Sequence, residues 1–312
     1  LAGVAAKAYD PARTQEKSVS EWVLGVIGGS GLYDLAGLED RRSVEVETPW
    51  GSPSGPLTTG VLGGVKIVFL PRHGPGHRIP PSRINARANI DALKRAGCTD
   101  IVSLSAVGSL REELSPGTFV IVDQFIDRTF DREKSFFGEG CVAHVSMAHP
   151  VCARLAGLAA EAARAAGARV SEGGTYLVME GPQFSTKAES ELYRLWGCDV
   201  IGMTNMPEAK LAREAELPYA SVAMVTDYDC WREDVAHVEV GDILAHLSAN
   251  AATARALVRH LAAAMTGPRP PSVVDTCLDG AIITDPAHRD PAMVRKLSAV
   301  AGRVLNLQGS PQ

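Results

Sequence analysis

Apolar residues in this chain come in short runs that break off on small or polar residues. The runs are Trp22–Ile27 (WVLGVI), Val65–Leu70 (VKIVFL), Ile101–Ser105, Phe119–Asp123 (FVIVD), Gly174–Met179 (GTYLVM), Asp199–Met203 (DVIGM) and Ser221–Val225 (SVAMV). Each has the length and β-branched content of a buried strand. Between them the spacing becomes helical. Residues 82–97, 150–167, 186–196, 207–215 and 240–264 read as helices, and 291–305 as a last amphipathic one. Gly97 suits a C′ position, and Pro207 suits a first helical turn. Residues 44–63 read as turns and short antiparallel strands, and 125–140 as a loop. Strand and helix alternate, which predicts an α/β fold: a central mixed, mostly parallel β-sheet flanked by helices in a single domain over 21–265. Residues 1–20 read as a flexible N-terminal extension, and 266–312 as a proline linker (TGPRPPS) and C-terminal helix packed on or near the same domain.

In open α/β sheets, ligands bind beyond the carboxyl ends of the strands. The residues there are therefore the candidates. The first strand runs into GGSGLYDL, a glycine-rich turn whose N–H groups suit an anion, with the Ser30 hydroxyl beside them; a plain tight turn has the same composition. The dinucleotide fingerprint fails because Asp34 stands where its last glycine belongs, and no GxxxxGK[ST] stretch exists. The second run ends on Arg72-His73, where a planar guanidinium fits a pair of phosphate oxygens. Ser105, Ala106 and Gly108 leave room for a flat ligand close to the backbone. The run at 221–225 stops on Thr226-Asp227-Tyr228-Asp229, and alternation puts Asp227 and Asp229 on one side of the chain. Paired carboxylates suit proton transfer or a donor-rich ligand, and they equally suit capping of a turn.

Composition narrows the classes. A formal net charge of -5 argues against a general nucleic-acid surface. No apolar run is long enough to span a bilayer, and the N-terminus shows no charged region followed by an apolar core. The six cysteines form no CxxC pair, and His144 and His149 lack metal-ligand spacing, so reduced thiols in a cytoplasmic protein without a metal are expected.

Taken together, VIGGSGLYD, PRHGPGHRIPPSRINARANI, SAVGSLREE, PGTFVIVDQFIDRT, MEGPQFSTKAES, IGMTNMPEAKLA and MVTDYDCW resemble the trimeric nucleoside phosphorylase family, in its order, over roughly residues 22–260. The nearest likeness is to the branch acting on 5′-methylthioadenosine. The resemblance implies the nucleoside phosphorylase fold. It implies phosphorolysis of that nucleoside to adenine and 5-methylthioribose-1-phosphate, a pentosyl transfer in purine and methionine salvage. Inorganic phosphate is then a co-substrate, with no metal or organic cofactor, no nucleic acid and no membrane. Ser30, Arg72, His73, Ser105, Thr204 and the backbone of Ala106 would hold phosphate. Met203, with Ala106 and Gly108, would lie against the ribose, and Phe184 would flank the base. Asp227 would be the general acid at N7, its pKa raised by desolvation, and Asp229 would accept from the 6-amino group. Val240, Ile243 and Leu244 would form the 5′ pocket, completed by His144 of a neighbouring subunit in a homotrimer; without the resemblance, the i, i+3, i+4 spacing is that of any core-facing helix. The chain carries Gly202 where some members have Asn, Val107 where some have Cys, and Ser30 where many have Thr. The rival within the fold is a 6-oxopurine phosphorylase, which places Asn at the position of Asp227. The rival outside it is a nucleoside-sensing binding protein, which would not need the phosphate groups.

Overall fold

Alternation within single strands sorts the core onto two faces. In β4 (Val65–Pro71), Ile67 and Phe69 pack to one side while Val68 and Leu70 pack to the other. The computed structural model describes residues 22–29, 37–232 and 240–306, with the side chains of 240–248 excepted. The expected N-terminal extension and Ser30 lie outside the described residues.

The strands are β1 (Val23–Gly28), β2 (Glu39–Val44), β3 (Leu57–Leu62), β4, β5 (Asp100–Ser109), β6 (Thr118–Val122), β7 (Gln124–Asp127), β8 (Arg169–Glu172), β9 (Thr175–Val178), β10 (Val200–Gly202) and β11 (Tyr219–Asp227). They form one mixed sheet in the order β2-β3-β4-β1-β5-β10-β9-β7, with β11 bridging β5 and β6, and β8 beside β6. Parallel pairs join β1 to β4 and β5, β5 to β11, β9 to β10 and β7, and β6 to β8.

Long β5 is the branch point. Its first residues, Asp100–Ser103, pair with β1, and its last, Gly108 and Ser109, pair with β10, while β11 runs beside it from Ile101 to Gly108. Where β1 ends and β10 has not begun, the sheet opens.

Helices α1 (Ala86–Arg95) and α4 (Asn205–Glu214) cover one face, and α2 (Ala153–Ala165) and α5 (Val240–Ala264) cover the other. Helix α3 (Lys187–Leu195) packs by Tyr193 against Leu177 and Ile201. Among the described residues no helix is long and apolar enough to cross a membrane.

Several boundaries differ from expectation for local reasons. Pro80 and Pro81 hold a 3-10 turn, so α1 begins only after Asn85, whose side chain accepts from the Ala88 N–H. The segment read as loop opens with β7, and β8 was not expected at all. The helix expected at 291–305 is two short ones, α6 (Pro291–Lys296) and α7 (Ser298–Ala301), broken at the fully buried Leu297. At the end of α4, Glu214 is 8% exposed and accepts hydrogen bonds from the Phe136 N–H and the Ser135 hydroxyl, both at 2.7 Å.

Candidate active site

The opening beside β5 is a cleft of about 300 Å³ walled by Gly29 just after β1 and by the carboxyl ends of five further strands. Arg72 and His73 come from β4, Ser105, Ala106 and Gly108 from β5, Met179 from β9, Met203 and Thr204 from β10, and Asp227 and Asp229 from β11. Phe184 stands at the mouth, 56% exposed. Ten expected residues therefore meet in one place. His144 does not join them. It is exposed, held by its N–H to the Ala281 carbonyl. Val240, Ile243 and Leu244 lie in the first turns of α5, with their side chains outside the described residues.

Arg72 is not the lone surface-type charge its sequence context allows. It is 2% exposed and bound through its fork to Glu208: Nε to Oε2 at 2.9 Å and Nη2 to Oε1 at 3.2 Å. Nη1 donates to the Leu104 carbonyl and Nη2 to the Ser103 hydroxyl. These bonds take four of its five N–H groups, which leaves one, on Nη1, for a ligand. Glu208 also accepts from Ser103 at 2.7 Å and from Tyr219 at 2.8 Å. Asn205 donates to Tyr219 and Ser221 and accepts from Ser105.

All these groups lie on the face covered by α4, where Ser103, Ser105, Ser221 and Tyr219 take places that apolar residues would otherwise fill. Sequence reading missed Glu208, Ser103, Asn205, Tyr219 and Ser221. The available signal was serine at alternate positions, 103 and 105, in an otherwise apolar strand.

His73 is buried and stacks on His77 with ring centroids 4.1 Å apart. Burial, and then the Arg72 charge, push its pKa down to about 4, so the ring is neutral at pH 7. Its Nδ1 lies 2.9 Å from the Ile79 carbonyl, which can only accept. The proton therefore sits on Nδ1, and Nε2 is an acceptor. It suits the hydroxyl of a monohydrogen oxyanion or of a sugar, not a bare anion.

Two buried hydroxyls, of Thr204 and Tyr176, have no hydrogen-bond partner among the described residues. Burial raises the Tyr176 pKa; the Ser105 and Thr204 hydroxyls lie near enough to temper this without reaching hydrogen-bond geometry. Thr204 precedes α4 but makes no capping bond, so its hydroxyl remains for the cleft. Unpaired buried polar groups at a cleft wall mark a place where a polar ligand belongs. Tyr176 also accounts for Gly202: a Cβ there would stand 2.0 Å from its hydroxyl oxygen, so the Asn of some family members cannot be accommodated beside this tyrosine.

At the other end, Asp227 lines the cleft and also caps a turn. Its Oδ1 accepts the Asp229 N–H at 2.8 Å, and its Oδ2 lies 2.7 Å from the Thr226 hydroxyl. Thr226 also reaches the Val107 carbonyl at 3.2 Å. It can therefore donate to an ionised Asp227, or turn to Val107 and accept from a protonated one.

The two carboxylates are brought together by the turn, not by strand alternation. The register shifts between Val225 and Asp227, and Asp229 lies past the strand with φ 54. Asp229 is held above the ordinary carboxyl range, first by burial and then, against several hydrogen bonds, by the Asp227 charge. Gly108 permits the approach, because a Cβ there would meet Asp227 Oδ1 at 3.0 Å. Trp231 fixes the turn by donating Nε1–H to the Ser109 carbonyl at 2.8 Å. Arg132, in the segment read as loop, donates to the Met203 and Met206 carbonyls and to Glu180, tying down the wall that carries Met203.

Residues 23–263 match the model of the Phosphorylase superfamily. The chain is 63% identical over 285 residues to the S-methyl-5′-thioadenosine phosphorylase of Cereibacter sphaeroides, covering 91% of this chain and 98% of that one. It is 60% identical over 289 residues to the protein of the same name from Bradyrhizobium diazoefficiens, covering 92% and 99%. Among solved structures it is similar to a methylthioadenosine phosphorylase from an antarctic soil metagenomic library, with TM-score 0.86 and 45% identity over 90% of this chain and 99% of that one. It is also similar to the methylthioadenosine phosphorylase of Schistosoma mansoni in complex with adenine, with TM-score 0.75 and 36% identity over 90% and 98%.

Proposed function

The chain belongs to the Phosphorylase superfamily, and we propose that it is a pentosyltransferase that splits 5′-methylthioadenosine with inorganic phosphate into adenine and 5-methylthioribose-1-phosphate. The observation that carries this reading is the cleft's polarity of function: hydroxyls and a guanidinium at one end, a carboxylate pair at the other, in a chain whose relatives bear that activity in their names.

A phosphate oxygen attacks C1′ as the C1′–N9 bond breaks, and the bonding electrons pass into the purine. Thr204, Ser105, the Ala106 N–H and the remaining N–H of Arg72 aim the phosphate; His73 takes the hydrogen bond of its P–OH. Ser30 belongs to the same end. The charge growing on the purine is relieved at N7 by a proton from Asp227, which the Thr226 hydroxyl can accommodate in either state. Asp229 accepts from the 6-amino group, Met203 lies against the sugar and Phe184 against the base.

The apolar residues Val240, Ile243 and Leu244 receive the 5′-methylthio group. Such a pocket rejects a 5′-hydroxyl only weakly, so methylthioadenosine is preferred to adenosine by about 10- to 200-fold. His144, exposed and away from its own cleft, completes this pocket from a neighbouring subunit of a homotrimer. The enzyme works without a metal or organic cofactor, in the cytoplasm, in purine and methionine salvage.

The test is phosphate-dependent release of free base from methylthioadenosine, adenosine and inosine. Release from inosine in preference to the other two, or base release that does not require phosphate, refutes the reading. Light scattering that finds an active monomer at assay concentration refutes the trimer.

A further inference from the structure

Asp229 has an unusual supporting cast. Its carboxylate is buried, its backbone is left-handed, and a second carboxylate stands beside it. Against this, neutral donors converge on it. The Ser190 hydroxyl lies 2.5 Å from Oδ2, the Ser185 hydroxyl lies 3.3 Å from each oxygen, and the Cys230 N–H lies close by. Ser190 is fully buried in the first turns of α3 and does not line the cleft. Its position is set by the helix start, where Thr186 and Glu189 form a reciprocal capping box.

We infer that Ser190 is a positioning residue that selects a 6-aminopurine over a 6-oxopurine by holding Asp229 as a hydrogen-bond acceptor. The inference rests on the function proposed above and goes beyond it, from the carboxylate that meets the base to a hydroxyl behind it. An ionised Asp229 can only accept, so it pairs with a 6-amino group and faces the O6 of hypoxanthine acceptor to acceptor. A protonated Asp229 donates and welcomes O6. Which form prevails is decided by opposing contributions. Burial and Asp227 favour the proton, and the hydroxyls and the Cys230 N–H oppose it. The other titratable groups facing this spot are the Cys230 thiol on its own segment and Tyr193 on α3, with Glu189 of α3 behind Cys230. Ser190 supplies the shortest of the opposing bonds. Without it, Asp229 keeps its proton to higher pH.

The experiment compares methylthioinosine with methylthioadenosine as substrates of the full-length protein, at saturating phosphate, from pH 5 to 9, in wild type, Ser190→Ala and Ser185→Ala. The readout is the ratio of the two kcat/KM values, which is independent of how much of a variant folds. In Ser190→Ala the 6-oxo to 6-amino ratio should rise about 10- to 100-fold, the effect of a lost hydrogen bond to a charged group. The pH at which that ratio climbs should move up by about one unit or more. Ser185→Ala should move both in the same direction by less, since its hydroxyl is farther. A Ser190→Ala enzyme with the wild-type ratio and pH profile, beside a wild type active on methylthioadenosine, overturns the inference and leaves the function standing. A wild type that does not cleave methylthioadenosine with phosphate overturns the function and this inference with it.

Discussion

Replacing Glu214 by Gln should make the protein more stable at pH 8, not less. Glu214 is buried at the end of α4, with Ser135 and Phe136 as its donors. The nearest cation, Lys210, is already bonded to Asp127. Burial therefore dominates, and the pKa of Glu214 is pushed from 4.5 up to about 7. A raised acid binds its proton more tightly in the folded state than in the unfolded one. Its contribution to stability is complete below about pH 4.5 and is lost as the pH climbs to about 7. The rise from 4.5 to about 7 corresponds to about 3 kcal/mol lost across that window. Gln removes the titration and keeps both contacts: its oxygen accepts the Phe136 N–H, and its amide donates to the Ser135 hydroxyl, which can accept as readily as donate. The assay is urea unfolding of wild type and Glu214→Gln at pH 5 and pH 8, at one protein concentration, because assembly also shifts apparent stability. The variant should gain about 1–3 kcal/mol at pH 8 and be close to wild type at pH 5. A variant less stable than wild type at pH 8, or a difference equal at both pH values, refutes the reasoning.

Arg72→Lys keeps the charge beside Glu208 but gives up the fork, and should cost about 1.5–3 kcal/mol in urea unfolding together with a higher phosphate KM; unchanged stability would show that the bidentate pair is not needed. Thr204→Val removes a buried hydroxyl without a hydrogen-bond partner among the described residues, so it should leave stability unchanged or improved while raising the phosphate KM about tenfold or more; a destabilised variant with a normal KM would contradict the placement of Thr204 in the phosphate end. Asp227→Asn should depress kcat/KM for methylthioadenosine by about 10²- to 10⁴-fold, since an amide has no proton to give N7; adenine release untouched by the change would remove Asp227 from the base site.

The strands that the sequence made legible are those whose residues are apolar on both faces, such as VKIVFL and SVAMV, because burial on two sides writes itself as a continuous run. Arg169–Glu172 and Gln124–Asp127 were missed because each is only four residues long, polar and half-exposed, and is recruited by pairing with β6 and β9. The cleft residues were legible because they sit at strand ends, a local property. The partners of Arg72 were not, because Glu208 is 136 residues away and looks like any helix-forming glutamate. The burial of Asp229 was equally illegible. Two aspartates two residues apart look equivalent in sequence, and only the turn that buries Asp229 tells them apart.

The forked strand β5 acts as a ruler. In the function proposed, Ser105 and Ala106 serve the oxyanion and Gly108 the purine, all on one strand, so about 10 Å of extended backbone spans the two chemistries. That strand is held on each side by β1, β10 and β11. The distance from attacking oxygen to departing base is thereby a fixed dimension of the scaffold rather than something side chains negotiate. In the same proposal the 5′ substituent is assigned to α5, which lies off this ruler. A lineage can exchange the group it accepts at C5′ by altering a few helical positions, while the span that makes and breaks the glycosidic bond stays as it is.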